Sequence, residues 1–259
     1  MTGRLRRDAR FERILAELRA SPAVRISALA ENFGVSTETV RRDIDELSRR
    51  GLVDRTYGGA AAHPATREPA VNERYRLLVA ERSRIGACAA RLVEPGEVLM
   101  IDSGSTTTHF ARELAVEARD LTVLTNCLGV ALALGRAPGL RVILCPGDYN
   151  AREGGAFGPE TAAFLERFHA DKAFIGASGL TVDGPVEVDS AASWVKRRMI
   201  ERSARSLLLV DETKFDARSL EIVSPLAAID DVIADAAPPS ALAEALAVAD
   251  VTLHVAGAD

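Results

Sequence analysis

From residue 98 onward the chain repeats one device, a short apolar run of strand length followed by a stretch with helical pattern. The runs are VLMI (98–101), LTVL (121–124), RVILC (141–145), KAFIG (172–176), SLLLV (206–210) and DVIA (231–234). Side chains alternate between the two faces of a strand, so an uninterrupted apolar run fits a strand covered on both faces. Helical stretches between such runs carry the chain back for a parallel neighbour. The pattern predicts an α/β domain on a mostly parallel sheet. A helix is expected over about 72–92, a late helix within the alanine-rich 234–250, and VTLHV (251–255) as an edge strand.

The first fifty residues are different in kind. Phe11, Ile14, Leu15 and Leu18 fall on one helix face, with Asp8 as N-cap, and Ile26, Leu29, Ala30 and Phe33 repeat the spacing. Val40, Ile44 and Leu47 mark a third helix, capped by Ser36 and ended by Gly51. Only Gly34 and Val35 separate helices two and three from that cap, which is the spacing of a helix-turn-helix. LVDRTYGGA then reads as two short extended pieces around a turn, a small wing, and AAAHPATREPA has no apolar period. The expected division is a winged helix-turn-helix over 1–60, a linker over 61–71, and an α/β domain over 72–259.

Charge follows the same division. The net charge is −5, yet residues 1–57 hold twelve Arg against nine Asp and Glu, a net of +3 that leaves −8 for the remainder. A basic head on an acidic body suits contact with nucleic acid at one end only. Of 32 basic residues three are lysines, Lys172, Lys196 and Lys214, so each lysine position asks for a reason. Cys88, Cys127 and Cys145 are odd in number and lack metal-ligand spacing, which reads as reduced, buried thiols and no metal site. No run approaches the roughly 20 apolar residues of a membrane span, and MTGRLRRDARFER lacks the apolar core of a signal peptide; the cytoplasm is expected.

Two places carry chemistry. With Val40, Ile44 and Leu47 turned inward, helix three presents Glu38, Arg41, Arg42 and Asp45 outward, and Thr37 and Thr39 in its first turn, where hydroxyls and guanidinium groups meet phosphates or base edges. The plainer reading is a Glu38–Arg42 pair bracing a solvated face. Further on, VLMIDSGSTTTHFA runs a strand into a Gly/Ser/Thr loop that opens a helix. A helix N-terminus beyond a strand end favours an anion, with Gly104, Ser105, Thr106 and Thr107 as its lining; the plainer reading is a capped turn. The loop is neither GxGxxG nor GxxxxGK[ST], so the nucleotide fingerprints are missing. LLLVDETKFDA delivers Asp211 and Lys214 onto a loop, where Lys214 is either a counter-charge to phosphate or a solvated lysine.

RISALAENFGVSTETVRRDIDELSRRGLVDRTYGGA resembles the winged helix-turn-helix of the DeoR family of bacterial regulators. Asp102–Thr107, the pair Thr125 and Asn126, Asp171–Gly176 and Asp211–Phe215 resemble, in order, segments of the same family's C-terminal domain. The resemblance implies that Ser36, Thr37, Thr39, Arg41 and Arg42 face double-stranded operator DNA. It implies an α/β sensor domain similar to ribose-5-phosphate isomerase, with Gly104–Thr107 holding the phosphate of a sugar-phosphate effector, Lys214 nearby, and Asp102, Asn126, Gly176 and Glu187 lining the pocket. A repressor of sugar or related carbon metabolism genes, acting as a homodimer or homotetramer without cofactor, is the function so implied. Pro146-Gly147 departs from the paired glycine of many relatives, Lys196 is expected on a helix face away from ligand, and Trp194 in packing. Two alternatives stay open: an isomerase-like enzyme with an accessory winged helix, for which Asp171 is a thin catalytic set, and a winged helix that docks protein.

Overall fold

The computed structural model describes residues 7–20, 23–49, 53–56, 58–62, 69–117 and 119–257. The chain divides into two compact units, Met1–Pro69 and Ala70–Asp259.

In the first unit the elements are α1 (Arg7–Ala20), β1 (Ala23–Arg25), α2 (Ile26–Phe33), α3 (Thr37–Arg49), β2 (Val53–Thr56) and β3 (Gly59–Ala62). Helix α1 is described from Arg7 onward, so Asp8 falls inside the helix rather than at its cap. Helix α2 stops at Gly34, whose φ of 63° is the left-handed conformation that glycine adopts without a Cβ clash. Its N–H bonds Glu31 O at 3.2 Å, and the chain turns at once into α3. There Ser36 Oγ accepts from Thr39 N at 3.2 Å, the N-cap contact. Phe11, Ile14, Leu18, Leu29, Phe33, Val40, Ile44 and Leu47 close over one core. A buried Arg10–Asp43 pair, with contacts of 2.6 and 3.0 Å, ties α1 to α3. The wing is a three-stranded antiparallel sheet in the order β1-β3-β2; β1, three residues long, is too short for sequence periodicity to register. Gly51 and Tyr57 lie outside the described residues.

The second unit begins with α4 (Val71–Arg74) and α5 (Val79–Ala90) where one helix over 72–92 was expected. Arg82 explains the break. Its Nη1 donates to Arg74 O at 2.5 Å and Leu77 O at 3.0 Å, carbonyls that a continuous helix would give to its own backbone, and Leu78 sits at φ 52°. There follow β4 (Val98–Ile101), α6 (Ser105–Glu117), β5 (Leu121–Thr125), α7 (Leu128–Leu134), β6 (Leu140–Leu144), β7 (Asp148–Asn150), β8 (Gly155–Phe157), α8 (Pro159–Leu165), β9 (Ala170–Gly176), β10 (Gly179–Thr181), β11 (Gly184–Glu187), α9 (Ser190–Glu201), β12 (Ser203–Val210), β13 (Glu221–Ile222), β14 (Asp231–Ala234), α10 (Ser240–Val248) and β15 (Thr252–Val255).

Seven strands form a parallel sheet in the order β15-β14-β12-β9-β4-β5-β6. Alternation along the strands sends Leu99, Ile101, Phe174, Leu207 and Leu209 to one face, with Ile85, Phe110, Leu114 and Val130 of α5, α6 and α7. Met100, Ile175, Leu208 and Val210 go to the other, with Leu165, Val195, Met199 and Leu242 of α8, α9 and α10. Helices thus cover both faces, as the continuous apolar runs require. From β4 the chain moves outward through β5 and β6; β9, β12, β14 and β15 then grow the sheet on the other side. The order reverses between β4 and β9, and ligands of such sheets generally bind beyond the carboxyl ends of the strands at such a reversal. A hairpin (β7, β8) and a three-stranded antiparallel sheet (β10-β11-β13) are additions that the sequence did not announce. Cys88, Cys127 and Cys145 are free and buried, and burial pushes the Cys145 thiol up to about 12. Among the described residues no helix is long and apolar enough to cross a membrane.

Candidate functional site

The α3 surface is built as a polar face on an apolar anchor. Val40, Ile44 and Leu47 are fully buried, while Ser36, Thr37, Glu38, Arg41 and Arg42 are exposed. Ser36 and Thr39 bond each other through their hydroxyls at 2.9 Å, so both also hold the helix start. Glu38 takes Arg41 at 2.9 Å and Arg42 at 3.5 Å, with the two arginine side chains 48% and 79% exposed. Exposed pairs of this kind are worth at most about 1 kcal/mol, so an arginine can leave Glu38 for a phosphate or a base at little cost. Asp45 is held by Arg55 of β2 at 2.8 Å, which joins the outer face of the helix to the wing.

The second site stands at the carboxyl ends of β4, β5 and β9. Asp102 continues the ladder of β4, donating its N–H to Phe174 O at 3.0 Å, and α6 then starts at Ser105. The first helical bond runs from Thr108 N to Gly104 O at 3.1 Å, and the hydroxyls of Thr107 and Thr108 donate to the same carbonyl at 3.1 and 2.7 Å. The N–H groups of Ser105, Thr106 and Thr107 therefore have no carbonyl within the helix to meet and lie at the positive end of its dipole. Asp102, Ser103, Ser105, Thr106 and Thr107 are buried; Gly104 is partly exposed. Gly176 closes the neighbouring side. Its N–H lies 3.4 Å from Asp102 Oδ2, and a Cβ there would sit 4.0 Å from Thr107 Cγ2. On the other side Thr125 Oγ1 donates to Ile101 O at 2.7 Å, and Asn126 Nδ2 donates to Ala156 O at 3.0 Å. Gly155 permits this packing, since a Cβ on it would lie 2.7 Å from Ser103 Cβ.

Asp102, Gly104, Ser105, Thr106, Thr107, Asn126, Gly176 and Glu187 thus gather at one sheet edge. Lys196 joins them, contrary to the expectation that it points away. Its Nζ is bonded to Asp102 Oδ2 and lies 3.3 Å from Glu187 Oε2, with a side chain 3% exposed. Although burial opposes its charge, Asp102 and Glu187 hold the Lys196 ammonium above the ordinary lysine range. Glu187 is itself fixed by Ser178 Oγ and by Val188 N at 3.0 Å. The missed signal was local. Ala192, Val195, Lys196 and Met199 follow the helical core spacing, so Lys196 occupies an inward position of α9. Trp194 also departs from expectation, 59% exposed beside Arg197 rather than packed.

Lys214 ends a 3₁₀ turn (Glu212–Lys214) that follows β12, and β12 pairs with β9 at Leu209 and Gly176, so it lies on the same edge, half-buried. Asp211, which precedes it, is committed to structure. It accepts from Arg82 Nη2 at 3.0 Å and from Thr213, and although burial opposes this, Arg82 and then Lys214 hold its carboxyl below the usual range. Asp171 lies at the opposite end of the sheet, where its Oδ2 accepts from Val98 N at 2.8 Å. Lys172 is there too, bonded to Leu92 O at 2.6 Å and Glu97 at 2.5 Å. The two are therefore absent from the strand-end cluster. Among the described residues no group of three or more His, Cys, Asp or Glu is placed to hold a metal ion.

Two family models match the chain: a DeoR-like helix-turn-helix domain over residues 10–65 and a DeoR C terminal sensor domain over 78–236. The glycerol-3-phosphate regulon repressor of Escherichia coli (strain K12) is 31% identical over 243 residues, 93% of this chain and 96% of that protein. A putative aga operon transcriptional repressor of Escherichia coli O157:H7 is 30% identical over 252 residues, 96% of this chain and 93% of that protein. Among solved structures, ribose 5-phosphate isomerase A of Methanocaldococcus jannaschii overlays 53% of this chain and 55% of its own at a TM-score of 0.39 and 16% identity. With the DNA-binding unit and the sensor unit each matched in order along the chain, the protein belongs to the DeoR family of DNA-binding transcription regulators.

Proposed function

We propose that the chain represses genes of sugar or related carbon metabolism, gripping operator DNA through α3 and responding to a phosphorylated sugar held at the β4/β9 crevice. The observation that carries the effector half is the N-terminus of α6 at the point where strand order reverses, with Lys214 on the same edge. Free first-turn N–H groups and a helix dipole favour a phosphate dianion there. Gly104 to Thr107 would hold the phosphate; Asp102, Asn126, Gly176 and Glu187 would line the rest. The DNA half rests on Ser36, Thr37, Thr39, Arg41 and Arg42 at the outer face of α3, on a unit whose own core is complete. The printed names of the relatives, repressors of a glycerol-3-phosphate regulon and of an aga operon, agree with control by sugar metabolites.

Repression follows a population shift: the effector binds the released arrangement better than the DNA-bound one, and that difference sets the response. Paired half-sites call for a symmetric dimer or tetramer, assembled by the sensor unit in the cytoplasm. Catalysis is not part of this reading, because Asp102 and Glu187 are both bound to Lys196 and act as fixed lining. The test is a gel-shift titration on DNA upstream of the protein's own operon, with and without a panel of sugar phosphates. Arg41→Ala combined with Arg42→Ala is expected to weaken binding by about 1–3 kcal/mol for each arginine that reaches the duplex and to flatten the salt dependence. Unchanged affinity would remove α3 from the interface. Repeated turnover of ribose 5-phosphate by the purified protein would replace the sensor by an enzyme.

A further inference from the structure

We infer that α4 and the turn behind it, residues 71–78, carry the effector signal toward the DNA-binding unit, with Arg74 and Tyr75 fastening this segment to loops of the strand-end cluster. The inference rests on the phosphate reading above and adds the path by which occupancy leaves the sensor unit.

The segment owes its place to other parts of the fold. Helix α4 has four residues, about one turn, and so short a helix has no stability of its own in water. The turn behind it ends at Leu78, whose φ of 52° is unfavourable for a bulky side chain. Such a conformation persists only where neighbours impose it. The same helix is the first element of the sensor unit, directly after the division between Pro69 and Ala70. A shift of α4 therefore displaces the point from which the chain leads back to the DNA-binding unit.

Three fastenings hold the segment, and each reaches a loop that also builds the strand-end cluster. Val71 donates its N–H to Arg152 O at 2.7 Å, and Arg74 meets Glu153 at 2.5 Å, on the loop that runs into Gly155 against Ser103 and Asn126. Tyr75 brings its phenol oxygen to 3.4 Å from Thr108 Oγ1 and its ring to 5.7 Å from the guanidinium of Arg112, both on α6. Gly129 makes room for that oxygen, since a Cβ there would stand 2.7 Å from it. Thr108 is the residue whose N–H and hydroxyl close the first turn of α6 on Gly104 O. Arg82 supplies the third fastening. Its guanidinium donates to Arg74 O and Leu77 O on one side and to Asp211 at 3.0 Å on the other, and Asp211 caps the turn that ends in Lys214.

A phosphate bound by both the first turn of α6 and Lys214 thus acts on two loops to which this segment is tied. Coupling between distant sites requires an element whose position both of them bias. Residues 71–78 meet that condition, bonded to the effector loops and continuous in sequence with the DNA-binding unit.

The experiment uses the full chain in two steps. First, backbone hydrogen exchange is followed by mass spectrometry as inorganic phosphate, or phosphorylated sugars of three to six carbons, are added at constant ionic strength. Residues 104–108 and 71–78 are expected to slow together in the parent, whereas in Arg74→Ala and in Tyr75→Ala only 104–108 slows. Second, the phosphorylated sugar that most weakens the parent's binding to DNA upstream of its own operon is tested on each variant. At saturation the parent is expected to lose about tenfold or more in DNA affinity and each variant less than about threefold, with affinities for DNA alone and for the sugar alone within about threefold of the parent's. The variants break different fastenings, and the parent's exchange pattern stands apart from both. If 104–108 slows without 71–78, if no sugar that slows both weakens DNA binding, or if both variants keep the full response, the inference is overturned and the phosphate cradle stands. Loss of sugar binding by the variants would make Arg74 and Tyr75 part of the ligand site and overturn their coupling role. If no phosphorylated compound slows 104–108, the cradle falls and the inference with it.

Discussion

Lys196→Met removes one charge from the buried trio and keeps a stem of similar reach. In the native protein Asp102 is 0% exposed and the Glu187 side chain 7%, and both face the ammonium. Taking one partner from a buried ion pair costs about 3–5 kcal/mol, because the remaining charge is left without compensation; here two carboxylates remain. The destabilisation has a definite pH dependence. Burial already raises the Asp102 carboxyl against the opposing pull of Lys196, and without the ammonium its folded pKa rises further above the unfolded value. A group raised on folding stabilises the fold below its unfolded pKa and ceases to do so as pH rises through the folded one. The variant should therefore nearly match the parent at about pH 4 and fall behind by about 1.4 kcal/mol per pH unit for each proton held, up to the full cost near neutrality. The assay is urea unfolding followed by fluorescence of Trp194, the single tryptophan, which sits on α9 beside the substituted position and reports on the second unit. Adding Asp102→Asn to the variant should recover part of the stability at pH 7 and little at pH 4. A deficit under about 1 kcal/mol that stays flat with pH would refute the buried trio.

Gly155→Ala places a Cβ 2.7 Å from Ser103 Cβ and 3.2 Å from Asn126 Nδ2, so the loop before α6 must shift. We expect a stability decrease of about 1–3 kcal/mol and weaker phosphate binding, read by thermal unfolding with and without ligand. Arg82→Gln strands Asp211, whose carboxyl is held low by Arg82 against the effect of burial. A group lowered on folding stabilises the protein above its unfolded pKa and loses that contribution as pH falls through the folded value, so the parent keeps this support down to below about pH 4. The variant should be weaker by about 3–5 kcal/mol at neutral pH and unfold at higher pH in an acid titration followed by far-ultraviolet circular dichroism.

The large sheet was legible because its strands are covered on both faces, which writes them as unbroken apolar runs; VLMI and DVIA match β4 and β14 residue for residue. The helix-turn-helix was legible for a local reason, since Gly34 and Ser36 each solve a helix-end problem with their own atoms. What escaped depends on distant partners. The break between α4 and α5 is made by Arg82, whose carboxylate partner is 129 residues away, and no window over 72–92 contains it. Strands β1, β7, β8, β10, β11 and β13 have two to four residues each, less than two full periods of alternation needs, and their pairing is decided by turns and neighbours.

Lys196 is the most instructive miss, because two features of the sequence together place it. Only three of the 32 basic residues are lysines, and this one lies four places after Ala192 and three before Met199, next to Val195, on a core stripe of α9. An ammonium in an inward position cannot be left alone, since the desolvation of a lone charge exceeds what packing returns. It therefore implies carboxylates brought from elsewhere in the chain. Acids at strand ends facing α9 meet that need, Asp102 after β4 and Glu187 at the end of β11. The stripe thus implies the trio, in which one Asp102 oxygen is held by lysine while the other has no partner among the described residues.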